Sequence, residues 1–89
     1  MVKRFRINTI TIPQQAGIYN YAPSVPGVAD VTFINVDTTI TSYVEQIPLL
    51  PNGGNFGWAA NQDEIFDGRL NVKLNGNTNL IIVEKIMLP

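Results

Sequence analysis

The side chains in this sequence that could do chemistry are few. Asn61, Asp63, Glu64 and Asp67 form its one acidic cluster, and oxygen ligands gathered on a loop are what a hard cation such as calcium takes. The spacing fits no EF-hand loop, and a solvated loop closed by Asx turns explains the same residues. Paired carboxylates can also cleave glycosidic bonds, but they need a cleft between them, which a domain of 89 residues rarely holds. Ser24 and Ser42 are the only serines. Without histidine a serine nucleophile needs a lysine or amine base, and nothing near Ser42 supplies one. The glycine-rich run PNGGNFG at 51–57 lacks the Lys-Ser or Lys-Thr and the βαβ surroundings of a phosphate loop, which discards nucleotide binding. Trp58, two positions after Phe56, could stack on a sugar ring; burial in a small β core is the competing use of a sole tryptophan.

The missing residue types weigh as much as those present. There is no His and no Cys, which removes thiol nucleophiles, imidazole bases, Cys/His zinc sites and disulfides. The expectation is a protein that is not an enzyme, with no catalytic residues, no cofactor and no metal. A net charge of −1 gives no basic surface for phosphates, so direct nucleic-acid binding is not expected. Lys3, Arg4 and Arg6 hold half of the six cations; a charged face on a first strand explains them better than a nucleic-acid arm. No apolar run reaches the ~18 residues of a membrane span, and no apolar signal region follows the basic start.

Eleven isoleucines, eight valines and seven threonines, against five alanines and six leucines, favour pleated surfaces over helices. The fold class expected is all-β: a single domain over 1–89, built as a small antiparallel β-sandwich or jelly-roll-like barrel of about six to eight strands. Residues 3–12 alternate as a strand, with Phe5, Ile7 and Thr9 on one face and Arg4, Arg6 and Asn8 on the other, until Pro13 interrupts. The stretch 13–27, with three prolines, two glycines, Tyr19 and Tyr21, reads as a long loop or arm. Its tyrosines are a partner surface or a cap on an open end of the core.

Residues 28–36 read as an internal strand, with Val31, Phe33 and Asn35 opposite Thr32, Ile34 and Val36. Asp37 then turns the chain into a second strand over 38–47, antiparallel to the first. Pro51-Asn52-Gly53-Gly54 is a dense turn signal, followed by a short strand at 55–59 and an irregular crossing at 61–68. Leu70, Val72 and Leu74 alternate with Arg69, Asn71, Lys73 and Asn75 as a half-exposed strand. Asn75-Gly76 signals a hairpin that returns as a strand over 79–88. That last strand places Leu80 and Ile82 one way and Ile81, Val83 and Met87 the other, interrupted only by Glu84 and Lys85. It lies at the centre of a sandwich, or one of its faces meets another subunit.

The run from Phe33 to Leu88 resembles a layout of small virion proteins of tailed and tailless bacteriophages. The matching positions are Asn35 to Thr41, Leu50 to Gly54, Phe56, Asn61 to Ile65, Leu70 to Leu74 and Asn79 to Ile86. Pro51-Asn52-Gly53-Gly54 departs slightly from a plain Pro-Gly turn, and the N-terminal third has no counterpart. The resemblance implies a β-sandwich or jelly roll on or within a capsid, as a vertex (penton), minor capsid or decoration subunit.

A chain this short, without disulfides or metal ligands, gains the burial it lacks by oligomerising or docking. The expected function is therefore that of a structural virion protein, made in the host cytoplasm and located in the particle. Its partners are other capsid proteins and further copies of itself. The expected contact residues are Phe5, Tyr19, Tyr21, Phe56 and Trp58. The alternative is a carbohydrate- or receptor-binding sandwich, in which an exposed aromatic patch would take a glycan.

Overall fold

The computed structural model describes residues 4–59 and 65–88. They form six antiparallel strands: β1 Phe5–Tyr21, β2 Val28–Asn35, β3 Ser42–Val44, β4 Ile47–Leu49, β5 Asn55–Ala59 and β6 Leu70–Met87. A straight strand of β6's length would run about 60 Å at ~3.3 Å per residue, but the longest dimension of the molecule is 45 Å. The two long strands must therefore bend. Each contributes one half to each of two four-stranded antiparallel sheets.

In the first sheet the order is residues 5–12 of β1, the C-terminal half of β6, β2 and β5. In the second it is residues 17–21 of β1, the N-terminal half of β6, β3 and β4. The bend shows in the register. Ile12 pairs with Leu80, Gln15 with Thr78 and Gly17 with Leu74, so that two steps along β1 answer four along β6. Gly17 and Gly76 take positive φ there, 119° and 67°, a region that glycine enters without steric cost. Thr78 Oγ1 donates to the Asn75 carbonyl at 2.5 Å, and Asn75 Nδ2 donates to the Thr41 carbonyl at 3.1 Å. These bonds hold the corner closed.

The core fills the space between the sheets. Val28, Val31 and Phe33 of β2 and Leu80, Ile82 and Ile86 of β6 meet Tyr21, Val44, Leu49, Val72 and Leu74 of the second sheet. Tyr21 and Phe33 cross edge to face, 5.2 Å between centroids, a geometry that ring quadrupoles favour. Phe56, Trp58 and Phe66 close the β5 side, with Trp58 and Phe66 5.0 Å apart.

An all-β sandwich is what the composition predicts, and several faces fall where alternation puts them. Val31, Phe33 and Asn35 point inward, as do Val72, Leu74, Leu80 and Ile82. Three local expectations are corrected. First, residues 13–21 are not a loop: β1 runs on through Pro13 to Tyr21, and only 22–27 connect it to β2. β1 pairs with β6 alone, so it is an edge strand, and Pro13 falls at the register shift, where no ladder N–H is missed. Second, Asn75-Gly76 bends β6 without reversing it, because β1 follows the same corner alongside; a glycine inside a strand marks such a bend as readily as a turn.

Third, residues 38–47 do not pair back on 28–36. Asp37 accepts from the N–H groups of Thr39 and Ile40 at 3.0 and 3.1 Å, an Asx turn that keeps 36–41 out of the ladder. These backbone donors hold the Asp37 carboxyl below its usual range. The chain crosses to the other sheet, where β3 pairs with β4 and β6. β3 and β4 are joined by Glu45 and Gln46 at φ 47° and 71°, a two-residue turn with both φ positive that usually takes Asn-Gly.

Gly54 closes the turn at 50–54. Its N–H donates to the Leu50 carbonyl at 3.0 Å, and a Cβ placed there would collide with the Leu50 backbone.

Candidate functional site

Two places in the sandwich concentrate side chains that composition alone would not put there. One is inside. Glu84 sits near the C-terminal end of β6 on its inward face and is fully buried, although the sequence pattern marks it only as a break in an apolar ribbon. Every donor it needs comes from far along the chain. Oε1 accepts from Asn8 Nδ2 at 2.9 Å and Ser24 Oγ at 2.5 Å; Oε2 accepts from Tyr21 Oη at 2.5 Å and the Ser24 N–H at 3.1 Å.

Burial alone would push the Glu84 carboxyl up, but the bonds from Ser24, Tyr21 and Asn8 outweigh it and hold the group below its ordinary value. The reciprocal effect, led by burial and then by the Glu84 bond, pushes the Tyr21 hydroxyl far up. A carboxylate stabilised in this way is a poor base for a serine hydroxyl. The Ser24–Glu84 pair therefore ties the 22–27 connection to β6 and does not activate a nucleophile.

The other place is the outer face of the first sheet. Because alternation sends even residues of β6 inward, its odd residues face out, and pairing aligns them in rows across four strands. One row is Ile7, Lys85, Asp30 and Ala59; the next is Thr9, Val83, Thr32 and Gly57; the third is Thr11, Ile81, Ile34 and Asn55. Phe5 and Met87 pair beyond the first row. Phe5 and Ile7 are 53% and 55% exposed, and Ile81, Val83, Ile34 and Met87 are half-exposed. Lys85 Nζ lies 3.9 Å from Asp30 Oδ2 and 4.7 Å from the Phe5 ring centroid.

The face is thus a flat field of aliphatic and threonine side chains whose one ion pair lies among them. At usual strand spacing it covers roughly 400 Å² in plan, about the size of the largest apolar patch on an ordinary monomer, a kind of patch often used for binding.

The expected contact residues fall in different places. Phe5 lies on this outer face. Tyr21 is corrected: it is fully buried, with its ring on Phe33 and its hydroxyl on Glu84, so it meets no partner. Tyr19, Phe56 and Trp58 are half-buried and pack against the core. Trp58 and Phe56 pair with Val31 and Phe33, whose side chains point inward, so together they form no exposed sugar-stacking platform. The apolar outer face itself, Ile7 with Ile34, Ile81 and Val83, escapes a reading centred on aromatics. Its signal was the two-sided apolar pattern of residues 79–88.

Asn61, Asp63 and Glu64 of the acidic cluster lie outside the described residues. Asp67 is exposed, and no group of three acidic side chains suited to a metal occurs among the described residues. On the second sheet an open hollow is lined by Ile18, Tyr43, Glu45, Gln46, Asn71 and Lys73. No helix among the described residues is long and apolar enough to cross a membrane. No family model, no curated protein and no solved structure matches the chain.

Proposed function

We propose that this chain is a non-enzymatic structural subunit of a virus particle, held in the protein shell by contacts with neighbouring subunits. The observation that carries the reading is the outer face of the first sheet, where Phe5 and Ile7 are exposed and Ile34, Ile81 and Val83 half-exposed in a domain that already has a packed core. Exposed apolar area of this kind gains free energy when a partner covers it. The Lys85–Asp30 pair on this face brings opposite charges together where they would be covered.

Two further features support it. The one strongly buried carboxylate among the described residues is satisfied by four bonds and serves the fold. The segments that carry the resemblance to phage virion proteins include Phe56 of β5, most of β6 and the turn at 50–54, so the resemblance spans both sheets. A vertex, minor capsid or decoration position fits this reading, with the finished protein residing in the virion after synthesis in the host cytoplasm.

Immunogold labelling tests it. An antibody raised against the purified chain is applied to virus particles banded on a density gradient from the source culture. Regular labelling of intact particles is the expected result. Particles free of label, with the protein recovered only in the unbanded fraction, would overturn the reading.

A further inference from the structure

We propose that the outer face of the first sheet pairs with the same face of a second copy, the two related by a two-fold axis running parallel to the strands between β6 and β2. The inference rests on the assembly reading above and names the partner of that site. It follows from what the three rows become when such an axis reverses them. Lys85 of one copy then faces Asp30 of the other, and Asp30 faces Lys85. Ile7 at the β1 edge faces Ala59 at the β5 edge, and Thr9 faces Gly57. Val83 faces Thr32, and Ile81 faces Ile34.

The face is tall on one side and low on the other, since Phe5 and Ile7 stand at one edge while Gly57 and Ala59 form the opposite edge. Reversal sets tall on low. Charge and shape are therefore complementary under one operation, which is what a closed two-fold contact requires.

Sheets that pack face to face keep their strands within about 30° of each other, so the rows stay in approximate register near the axis. Two copies cover about 800 Å² before side-chain relief is added, below the ~1,200–2,000 Å² of stable specific interfaces and in the range of weak, transient ones. A weak dimer is the expectation, and the chain's net charge of −1 offers little repulsion against it.

Charge exchange across the axis is the test. Sedimentation equilibrium is run from micromolar to several hundred micromolar on the wild type, on Lys85→Asp, on Asp30→Lys and on an equimolar mixture of the two variants, each checked for folding by circular dichroism. The wild type is expected at twice the 9.8 kDa chain mass. Each single variant sets like charges against each other and is expected to weaken the dimer at least 100-fold. The mixture pairs an all-acidic face with an all-basic one and is expected to restore a dimer that added salt loosens.

A wild type that stays monomeric throughout the range overturns the second-copy proposal while leaving the assembly reading to the particle labelling. So does a wild-type dimer that both substitutions leave unchanged, or a ring of three or more copies.

Discussion

Glu84→Gln is expected to lower the unfolding free energy by about 3 kcal/mol, a drop of roughly 15 °C in melting temperature for a domain this size. The carboxylate accepts from four donors on three residues, Asn8 and Tyr21 of β1 and Ser24 of the connection to β2. An amide keeps the shape but turns one acceptor into a donor, so either the Ser24 N–H or the Asn8 Nδ2 group is set against another donor, and the hydroxyl beside it must turn to accept. Urea denaturation at pH 7 measures the loss. A cost under about 1 kcal/mol would mean that the network is worth no more than one ordinary hydrogen bond.

The same bonds set the acid limb of stability. The folded-state value of Glu84 is depressed, so the folded protein binds this proton less readily than the unfolded chain. Its contribution is complete above the ordinary carboxyl value near 4.5 and disappears as pH falls through the lower folded value. Wild-type stability is expected to decline below about pH 4.5, and Glu84→Gln to flatten part of that decline.

The second large effect is expected at Asn35, the buried amide at the end of β2. Its Nδ2 donates to the Ile40 and Leu49 carbonyls at 2.7 and 2.8 Å, while Oδ1 accepts from the Asp37 N–H at 3.0 Å. One side chain thereby joins the crossing at 36–41 to β4. Asn35→Ala leaves those carbonyls without their side-chain donor and is expected to cost about 3 kcal/mol. Asn35→Asp aims a carboxylate at both carbonyls and is expected to cost at least as much at pH 7. Its sign with pH is opposite to that of Glu84. Repulsion raises the introduced carboxyl in the folded state, so this variant regains stability as pH falls, because the protonated acid can donate to one carbonyl. Thermal melts between pH 7 and pH 4 separate the two behaviours.

These two residues show where the sequence is legible and where it is not. Val31, Phe33 and Asn35 share a face in the sequence, as do Leu80 and Ile82, and Val72 and Leu74 read as inward, because alternation is a local signal with a period of two; which face of residues 28–36 and 79–88 is the buried one only the fold decides. The turn at 50–54 was legible for the same reason: Pro, Asn and Gly act within four residues. Glu84 was not, because its partners lie 60 to 76 positions away, and a carboxylate's burial is decided by donors that only the fold brings together.

Asn75-Gly76 permits a positive φ but does not say whether the chain reverses or bends; the neighbouring β1, turning the same corner, decides that. Glu45 and Gln46 concealed the β3–β4 hairpin by lacking the usual turn residues. The outer face was half legible. The two-sided pattern of residues 79–88 raised the choice between a central strand and a subunit contact, and β6 combines both, central in its sheet with one face open to solvent.

The central claim is that the open face of the first sheet is where this protein joins a shell. Incorporation into particles tests it most directly. Tagged wild type and Ile81→Lys, a half-exposed position on that face, are supplied in equal amounts during particle formation, and their ratio in gradient-purified particles is read by mass spectrometry. With both proteins shown to be folded, the account predicts wild type in the particles and the variant depleted at least tenfold. Equal incorporation of the two, or the absence of both, would contradict it.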